Sequence, residues 1–363
     1  SRPYYMSTPR LVAAQDIEWN SPFDNPRIDE LFSLDTCPQP LKHICELLSL
    51  GPQDESRLLP LLSCEKAIHA QSWTGEGLRL RYFGHACVLL EGKGVSILTD
   101  PFVSVSPKQT EIDRLTFKDL PSRIDYVLIT HGHHDHFVFE SLLRLRHRIG
   151  TLVLPRSSGI FYGDLSLKQL AQKLGFKCVQ EVDTMDSIAF PGGKITAIPF
   201  LGEHCDLLHA KSGYVVSFGK EQVLFAADSC CLDKQIYENV KNILGPISTV
   251  FIGMECVGAP LSWVYAPLLP IKPDRNHDQS RRSHANDAIS AFNLLGAVGA
   301  KKAYIYALGR EPWLKYFMAL TPADDDPYMQ EVKKLTEMAQ ATGSFATQML
   351  YGKEDLFFQI ERG

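Results

Sequence analysis

The sequence predicts an α/β fold, an αββα sandwich of two mixed sheets with helices on their outer faces. From residue 78 onwards, short β-rich runs are separated by turn residues, and the early runs follow one another closely, as in hairpins. The later runs alternate with helical patterns, which is typical of strands joined by crossover helices. The presence of both kinds of connection favours two mixed sheets.

The predicted strands are short and apolar. They span 78–84, 86–92, 95–100, 125–130, 151–155, 194–200, 213–219, 222–228, 249–253 and 303–308. Helices are predicted at 137–147, 167–174, 234–243, 285–298 and 327–342, where apolar residues recur at helical spacing. The stretch Pro191–Lys194 lies between two strand candidates and contains two glycines, so it predicts a hairpin turn.

Residues 1–75 differ from the rest of the chain. They begin with a turn-rich segment and continue with two short helical patterns, 41–50 and 55–62, which Gly51 and Pro52 separate. We therefore expect 1–75 to form a short helical N-terminal extension that packs on the main domain or covers its site. The main domain then spans 76–363.

Composition excludes several classes of protein. The chain has 363 residues and a net charge of −5, which argues against nucleic acid as the main partner because phosphate binding requires a basic field. No stretch is typical of a membrane span, since the longest apolar candidate, 243–261, contains two prolines and Glu255. The 9 scattered cysteines form no CxxC pair, and the N-terminus has no apolar leader. These features predict a cytoplasmic, reduced protein.

A histidine-rich loop directly follows the predicted strand 125–130. It contains four histidines and one aspartate in six residues: His131, His133, His134, Asp135 and His136. Imidazole is the most common protein ligand for zinc, iron and copper, and carboxylates suit harder ions. Alternate residues of an extended segment point the same way, so His131 and His133 are predicted to bind one ion. As the loop turns into the next helix, Asp135 and His136 are predicted to face a second ion.

This HxHxDH motif resembles the metallo-β-lactamase superfamily, and the resemblance extends from about residue 78 to about 313. The segments Tyr82–Ala86 and Leu98–Pro101 resemble the early strands and the Asp-Pro turn of that fold. The segment Ala226–Ser229 resembles the strand end whose aspartate bridges the metals, which implies that Asp228 is the bridging ligand. A carboxylate can bridge two ions because both of its oxygens have lone pairs.

Two departures from the superfamily pattern concern the remaining ligands. The third histidine is expected where this chain has Glu203 and His204, and only one of these neighbours is predicted to reach the metal because successive strand residues point to opposite faces. The last histidine is expected near Ala307, where this chain has none. His277 and His284 are alternative candidates for that position, and a tyrosine or water is another.

The Gly-Glu-His variant resembles the diiron oxygenase branch of the superfamily, which includes the chloramphenicol-pathway β-hydroxylase and the platensimycin-pathway monooxygenase. In that branch a glutamate replaces the third histidine, which implies that Glu203 is a ligand and, with Asp228, part of the catalytic centre. An added carboxylate favours a harder ion such as iron, and zinc has no redox chemistry. We therefore predict two iron ions, with dioxygen as co-substrate and an external electron donor.

The resemblance implies a monooxygenase that hydroxylates a C–H bond of a small molecule of secondary metabolism. The substrate is expected to be a thioester, either an aminoacyl group on a carrier protein or a coenzyme A ester. The sequence does not fix the oligomeric state, and a homo-oligomer is one alternative. The alternative is a dinuclear zinc hydrolase of the lactonase, amidase or phosphodiesterase type, in which two zinc ions activate a bridging water. That alternative gains weight if His204 is the ligand.

Two further side chains are candidates for supporting roles. His85 follows the first predicted strand and is a candidate hydrogen-bond partner of a ligand, with a structural role as the alternative. Asp100 precedes Pro101 at a strand end and is a candidate for orienting a ligand histidine through its far ring nitrogen. The alternative for Asp100 is a turn carboxylate.

Overall fold

The fold was determined as a computed structural model. It describes residues 17–65, 67–106, 112–158, 164, 166–202, 209–257, 274, 276, 284–314 and 323–359.

The strands of the first sheet are β1 (Leu78–Gly84), β2 (Cys87–Gly92), β3 (Val95–Thr99), β4 (Ile124–Leu128), β5 (Ile149–Pro155), β6 (Val179–Val182) and β14 (Glu354–Phe358). Their order across the sheet is β14-β1-β2-β3-β4-β5-β6. The pairs from β14 to β3 are antiparallel and those from β3 to β6 are parallel. The first sheet is therefore mixed, as the sequence predicts.

The second sheet contains β7 (Ser187–Phe190), β8 (Gly193–Ile198), β9 (Gly213–Phe218), β10 (Glu221–Phe225), β11 (Thr249–Gly253), β12 (Lys302–Tyr306) and β13 (Ala346–Met349). The order is β13-β12-β11-β10-β9-β8-β7. The pairs from β7 to β10 are antiparallel and those from β10 to β13 are parallel. The hairpin between β7 and β8 turns at Pro191 and Gly192, which confirms the predicted turn.

The α-helices of the described residues are α1 (Arg27–Ser33), α2 (Leu41–Leu48), α3 (Glu55–Leu58), α4 (Phe139–Leu145), α5 (Leu167–Lys173), α6 (Lys234–Leu244), α7 (Ala288–Val298) and α8 (Pro327–Thr342). Three of these helices begin at a residue whose side chain caps the helix. Side chains of Ser166, Asp233 and Asp287 accept backbone N–H groups and so cap α5, α6 and α7. Among these described helices, none is both long enough and apolar enough to cross a membrane.

Three apolar layers hold the sandwich together. Facing side chains of the two sheets form the central layer, where the ring of Phe251 stacks on Phe225 and Tyr304. The outer face of the first sheet packs on α4 and α5, and that of the second sheet packs on α6, α7 and α8. This arrangement confirms the predicted αββα sandwich.

The N-terminal helices have their own small apolar cluster and are tied to the first sheet's side by a buried arginine. Arg146, which follows α4, donates to the carboxylate of Asp29 at 2.8 Å and to the carbonyls of Phe23, Asn25 and Leu174. The two predicted helical patterns in this segment are found as α2 and α3. The boundary at residue 75 stays a prediction.

Candidate metal centre

The histidine-rich loop begins where β4 ends, at the junction of the two sheets. The carbonyl of His133 accepts the backbone N–H groups of His136 at 3.1 Å and Phe137 at 2.8 Å. These bonds fold the loop into a tight turn immediately before α4. As a result, the side chains of the loop converge on one buried spot beside the carboxyl ends of β1, β3, β10 and β12, the edge at which α/β sheets commonly bind ligands.

Two groups of buried donor atoms lie at this spot. His131, His133 and Asp228 form one group, and His85, Asp135 and His136 form the other, with the donor atoms of each group within 4.8 Å of one another. Asp228 lies between the groups: its Oδ2 is 3.7 Å from Nε2 of His131 and 3.2 Å from Nε2 of His136. A carboxylate in that place can contact an ion in each group, as the sequence predicts for Asp228.

Hydrogen bonds to Asp100 and Thr130 set the orientation of two of the imidazoles. Asp100 accepts the Nδ1 proton of His136 at 2.8 Å, the hydroxyl proton of Thr130 at 2.6 Å and the backbone N–H of Thr130 at 2.7 Å. Because the Thr130 hydroxyl donates to Asp100, its oxygen accepts from Nδ1 of His131 at 3.0 Å. Both histidines therefore carry their proton on Nδ1, which leaves Nε2 able to bind a metal. The candidate role of Asp100 matches this geometry.

Several buried donor atoms of this centre have no hydrogen-bond partner and are suited to bind a metal. Among the described residues, Oδ1 of Asp135, Nε2 of His136 and Oδ1 of Asp228 are buried without a hydrogen-bond partner. Buried polar atoms are normally satisfied, and each exception calls for an explanation such as an ion. Three imidazoles of the loop and two carboxylates are also the donor types that divalent iron and zinc prefer.

The electrostatics of the site favour positive charge. Burial lowers the pKa of His136, but the carboxylates of Asp135, Asp228 and Asp100 outweigh it and raise that pKa well above its usual value. Burial raises the pKa of Asp135, but His136 and His85 outweigh it and hold that pKa well below its usual range. A site that stabilises an imidazolium in this way also stabilises a metal cation.

Backbone strain is concentrated around the centre. Left-handed φ angles occur at four non-glycine residues that directly follow or lie just beyond strand ends: His85 (51°), Asp100 (32°), Ala227 (45°) and Ala307 (55°). This conformation is uncommon outside glycine and persists only where surrounding contacts fix it. His85 and Asp100 are themselves part of the hydrogen-bond network of the centre, and Ala227 directly precedes Asp228.

The sequence also predicts four further ligand candidates. Glu203, His204 and His277 lie outside the described residues. His284 is described and lies at the surface, with its Nδ1 3.0 Å from the carbonyl of Cys256, away from both groups. The late strand end at Ala307 does reach the site, and its backbone N–H donates to the carbonyl of His85 at 3.1 Å.

Sequence reasoning missed one buried acidic pair next to the centre. Glu311 is almost fully buried and accepts the hydroxyl proton of Tyr82. Burial raises the pKa of the Glu311 carboxyl. The only sequence signal was a single glutamate a few residues after a strand, which by itself is not specific.

Comparisons with known proteins agree with this geometry. Residues 1–65 match the family model of the diiron non-heme beta-hydroxylase N-terminal domain, and residues 79–226 match that of the beta-lactamase superfamily domain. The chain is 36% identical over 357 residues to the 4-amino-L-phenylalanyl-[CmlP-peptidyl-carrier-protein] 3-hydroxylase of Streptomyces venezuelae. That match covers 96% of this chain and 67% of the relative.

Solved structures give the same answer. The crystal structure of CmlA, a diiron beta-hydroxylase from Streptomyces venezuelae, matches with a TM-score of 0.82 at 36% identity and covers 93% of this chain and 63% of that one. The metallo hydrolase Igni18 of Ignicoccus hospitalis matches with a TM-score of 0.53 at 15% identity, over 78% of this chain and 99% of that one, which is a likeness of fold alone. The chain thus spans about two thirds of the length of the β-hydroxylase relatives.

The two sheets, the outer helices and the buried histidine and aspartate groups are those of a metallo-β-lactamase superfamily protein. Within that superfamily, the chain belongs to the family of diiron β-hydroxylases, which are oxygenases. The family implies two iron ions, and this chain has two buried groups of suitable donors.

Proposed function

We propose that this protein hydroxylates the β-carbon of an aminoacyl group that is held as a thioester on a carrier protein. One atom of dioxygen enters the C–H bond and the other leaves as water, with two electrons supplied by an external donor and two protons taken up. The observation that carries this proposal is the 36% identity to a carrier-protein-dependent 3-hydroxylase over 96% of the chain. The two donor groups that share Asp228 supply the matching site.

In this proposal, His131, His133 and Asp228 hold one iron. Asp135 and His136 hold the second, and Asp228 also reaches it. Iron bound in these positions supplies the redox chemistry that dioxygen activation requires and that zinc lacks. All five residues are at most 9% exposed, so bulk water has little access to the ligand atoms.

The remaining ligand of the first iron is proposed to be Glu203. The chain just before it is fixed against the metal site: the carbonyl of Leu201 accepts the N–H of Cys230, two residues after Asp228. The ammonium of Lys211 donates to the carbonyl of Gly202 at 2.6 Å, and Lys211 itself bridges to His131. Gly202 therefore lies one residue of contact away from His131, and this position supports the proposed role of the residue that follows it.

A tight packing contact supports this placement. Gly202 has a left-handed φ of 68°, and a side-chain carbon at this position would lie 2.6 Å from Cβ of Cys230. Glycine is therefore required where the chain approaches the strand end of Asp228. The described chain therefore approaches the strand end of Asp228 at Gly202, which supports the proposal that the next residue, Glu203, is a ligand.

The experiment is a single-turnover assay with purified protein loaded with ferrous iron, a chemical reductant and a panel of aminoacyl carrier proteins. We expect two irons per chain and a hydroxylated aminoacyl group whose new oxygen comes from isotopically labelled dioxygen. Free amino acids and coenzyme A esters serve as the competing substrate classes. We expect them to react far more slowly than the carrier-bound thioester.

The matched variants are His131→Ala, which removes a ligand, and His147→Ala, which changes an exposed histidine after α4. The first is expected to lose iron and turnover, and the second to retain both. Stoichiometric zinc with activity that does not depend on dioxygen would instead identify a hydrolase and contradict the proposal.

A further inference from the structure

The second iron position lacks the histidine that the superfamily usually places at the end of a late strand. In this chain the strand end is Ala307, whose methyl group offers no ligand. Its backbone N–H donates to the carbonyl of His85, so the two strand ends meet at this point. His85 is therefore the imidazole that lies next to the position of the missing histidine.

The ring of His85 points into the metal centre but contacts a carboxylate. Its Nε2 lies 2.9 Å from Oδ2 of Asp135, and its ring centroid lies 5.1 Å from that of His136. His85 is 2% exposed, and Asp135 is 5% exposed. The other oxygen of Asp135, Oδ1, is buried without a hydrogen-bond partner among the described residues. One oxygen is thus held by His85 and the other is available to an ion.

Packing against neighbouring side chains fixes the position of His85. Gly84 brings its backbone so close to Trp313 that an added side-chain carbon would lie 2.8 Å from the indole ring. The ring of Phe102 meets the ring of His85 edge-on, with 6.1 Å between the ring centroids. A left-handed φ at a non-glycine residue is maintained only by such surroundings. The strained backbone of His85 thus directs its imidazole at Asp135.

We propose that His85 is a positioning residue for the second iron: its Nε2–H holds Oδ2 of Asp135, so that Oδ1 of Asp135 faces the ion. The inference rests on the proposed diiron site and adds a residue that acts on a ligand without binding the metal. A donor in this role fixes the rotamer of the carboxylate, which lowers the entropy lost when the ion binds. His85 thus supports the second iron from beside the position of the missing histidine, but it does so by holding Asp135 and does not bind the metal itself.

The test compares His85→Leu and His85→Gln with the wild type, using ferrous iron as the probe. The measurements are iron content at saturation, the rate of iron release to a chelator, and the visible absorption of the oxidised centre. We expect His85→Leu still to bind two irons but to release iron roughly 10–100-fold faster, with a changed absorption spectrum. The amide N–H of glutamine can reach the same oxygen, so His85→Gln is expected to restore most of the slow release.

A second, partly buried histidine–aspartate pair supplies the control. His69 lies 3.0 Å from Asp35 near the N-terminal helices, away from the metal centre, so His69→Leu should release iron at the wild-type rate. If His85→Leu releases iron as slowly as the wild type, the positioning role is wrong. If both His85 variants bind only one iron at saturation, His85 is a ligand and the proposal is also wrong. A wild type that binds no iron would refute the diiron site itself, and with it this inference.

Discussion

The hydroxyl of Thr130 connects the two groups of metal-binding residues through single hydrogen bonds. It donates to Asp100, which also accepts from His136, and it accepts from the ring of His131. His131 belongs to one group and His136 to the other. One buried threonine and one buried aspartate therefore keep an imidazole of each group in its metal-binding tautomer.

At the residue scale, the proposed ligand role of Glu203 gives a direct prediction. We expect Glu203→Ala to bind fewer than two irons per chain at saturation, because a ligand of the first iron is lost. His204→Ala is expected to bind two irons, since successive residues of an extended segment point to opposite sides. Iron content, measured by elemental analysis of both variants after identical loading, checks this prediction.

The two variants control for each other because they change neighbouring residues of one segment. Glu203→Asp keeps the charge and shortens the side chain, so it reports on the distance to the iron as well as on the charge. If His204→Ala loses iron and Glu203→Ala retains it, the ligand assignment is reversed. The histidine would then restore the ordinary donor set of a dinuclear hydrolase.

Some residues of the centre can be predicted from the sequence and others cannot. The ligands of the loop are contiguous, so their spacing alone indicates a metal site. Tyr82 and Glu311, by contrast, lie 229 positions apart and become a pair only when β1 and the segment after β12 meet. No local pattern can reveal such a contact, because it depends on which strand ends share one side of the sandwich.

At the scale of elements, the interior strands were predictable and several edge strands were not. The predicted strands from 78 to 308 all correspond to observed strands, with ends that differ by a few residues. β6, β13 and β14 were not predicted, and β7 was implied only as the strand before the predicted turn at 191–194, without bounds; these four are the edge strands of the two sheets. These strands have four or five residues and mostly half-exposed side chains, as in β14. They lack the apolar run or the clear alternation that identifies a strand.

The link between the N-terminal helices and the main domain gives a prediction at this scale. Replacing Arg146 with methionine leaves Asp29 and three backbone carbonyls without their donor. We expect this to lower the free energy of unfolding by about 3 kcal/mol, since three backbone carbonyls and the partly exposed carboxylate of Asp29 lose their hydrogen-bond donor. Urea unfolding measures the free energy of unfolding. Limited proteolysis reports whether the segment of the N-terminal helices α1 to α3 is cleaved first.

Arg156→Met is the matched control for Arg146→Met. Arg156 forms an exposed ion pair with Asp183 at 2.9 Å, and its side chain is 52% exposed. Such a pair contributes only about 0.5 kcal/mol. Equal losses of stability in the two variants would show that Arg146 does not fasten the N-terminal helices.

At the scale of the whole molecule, the metal centre joins the two sheets. His85, Asp100 and the histidine loop come from strand ends of the first sheet, whereas Asp228 comes from a strand end of the second. Ions bound by both sides would therefore cross-link the sandwich at one edge. The side chains that face one another between the sheets form an apolar cluster.

Removal of metal should consequently destabilise the whole fold. Binding to the folded state alone stabilises it by about 4 kcal/mol per ion when free metal exceeds the Kd roughly 1,000-fold. We expect a chelator to lower Tm by several degrees, and ferrous iron to restore it. In His131→Ala the chelator should have a much smaller effect. A wild-type Tm that is the same with and without iron would contradict the cross-link.

The first and last strands of the described sheets are neighbours, since β1 pairs along its outer side with β14. The ion pair between Arg81 and Asp355 spans 274 positions of sequence. During synthesis, therefore, the backbone donors and acceptors on that side of β1 have no partner until the last strand leaves the ribosome. An open strand edge of this kind invites pairing with other chains. The yield of native protein should thus depend on how fast the C-terminal strand arrives, more than on the early helices.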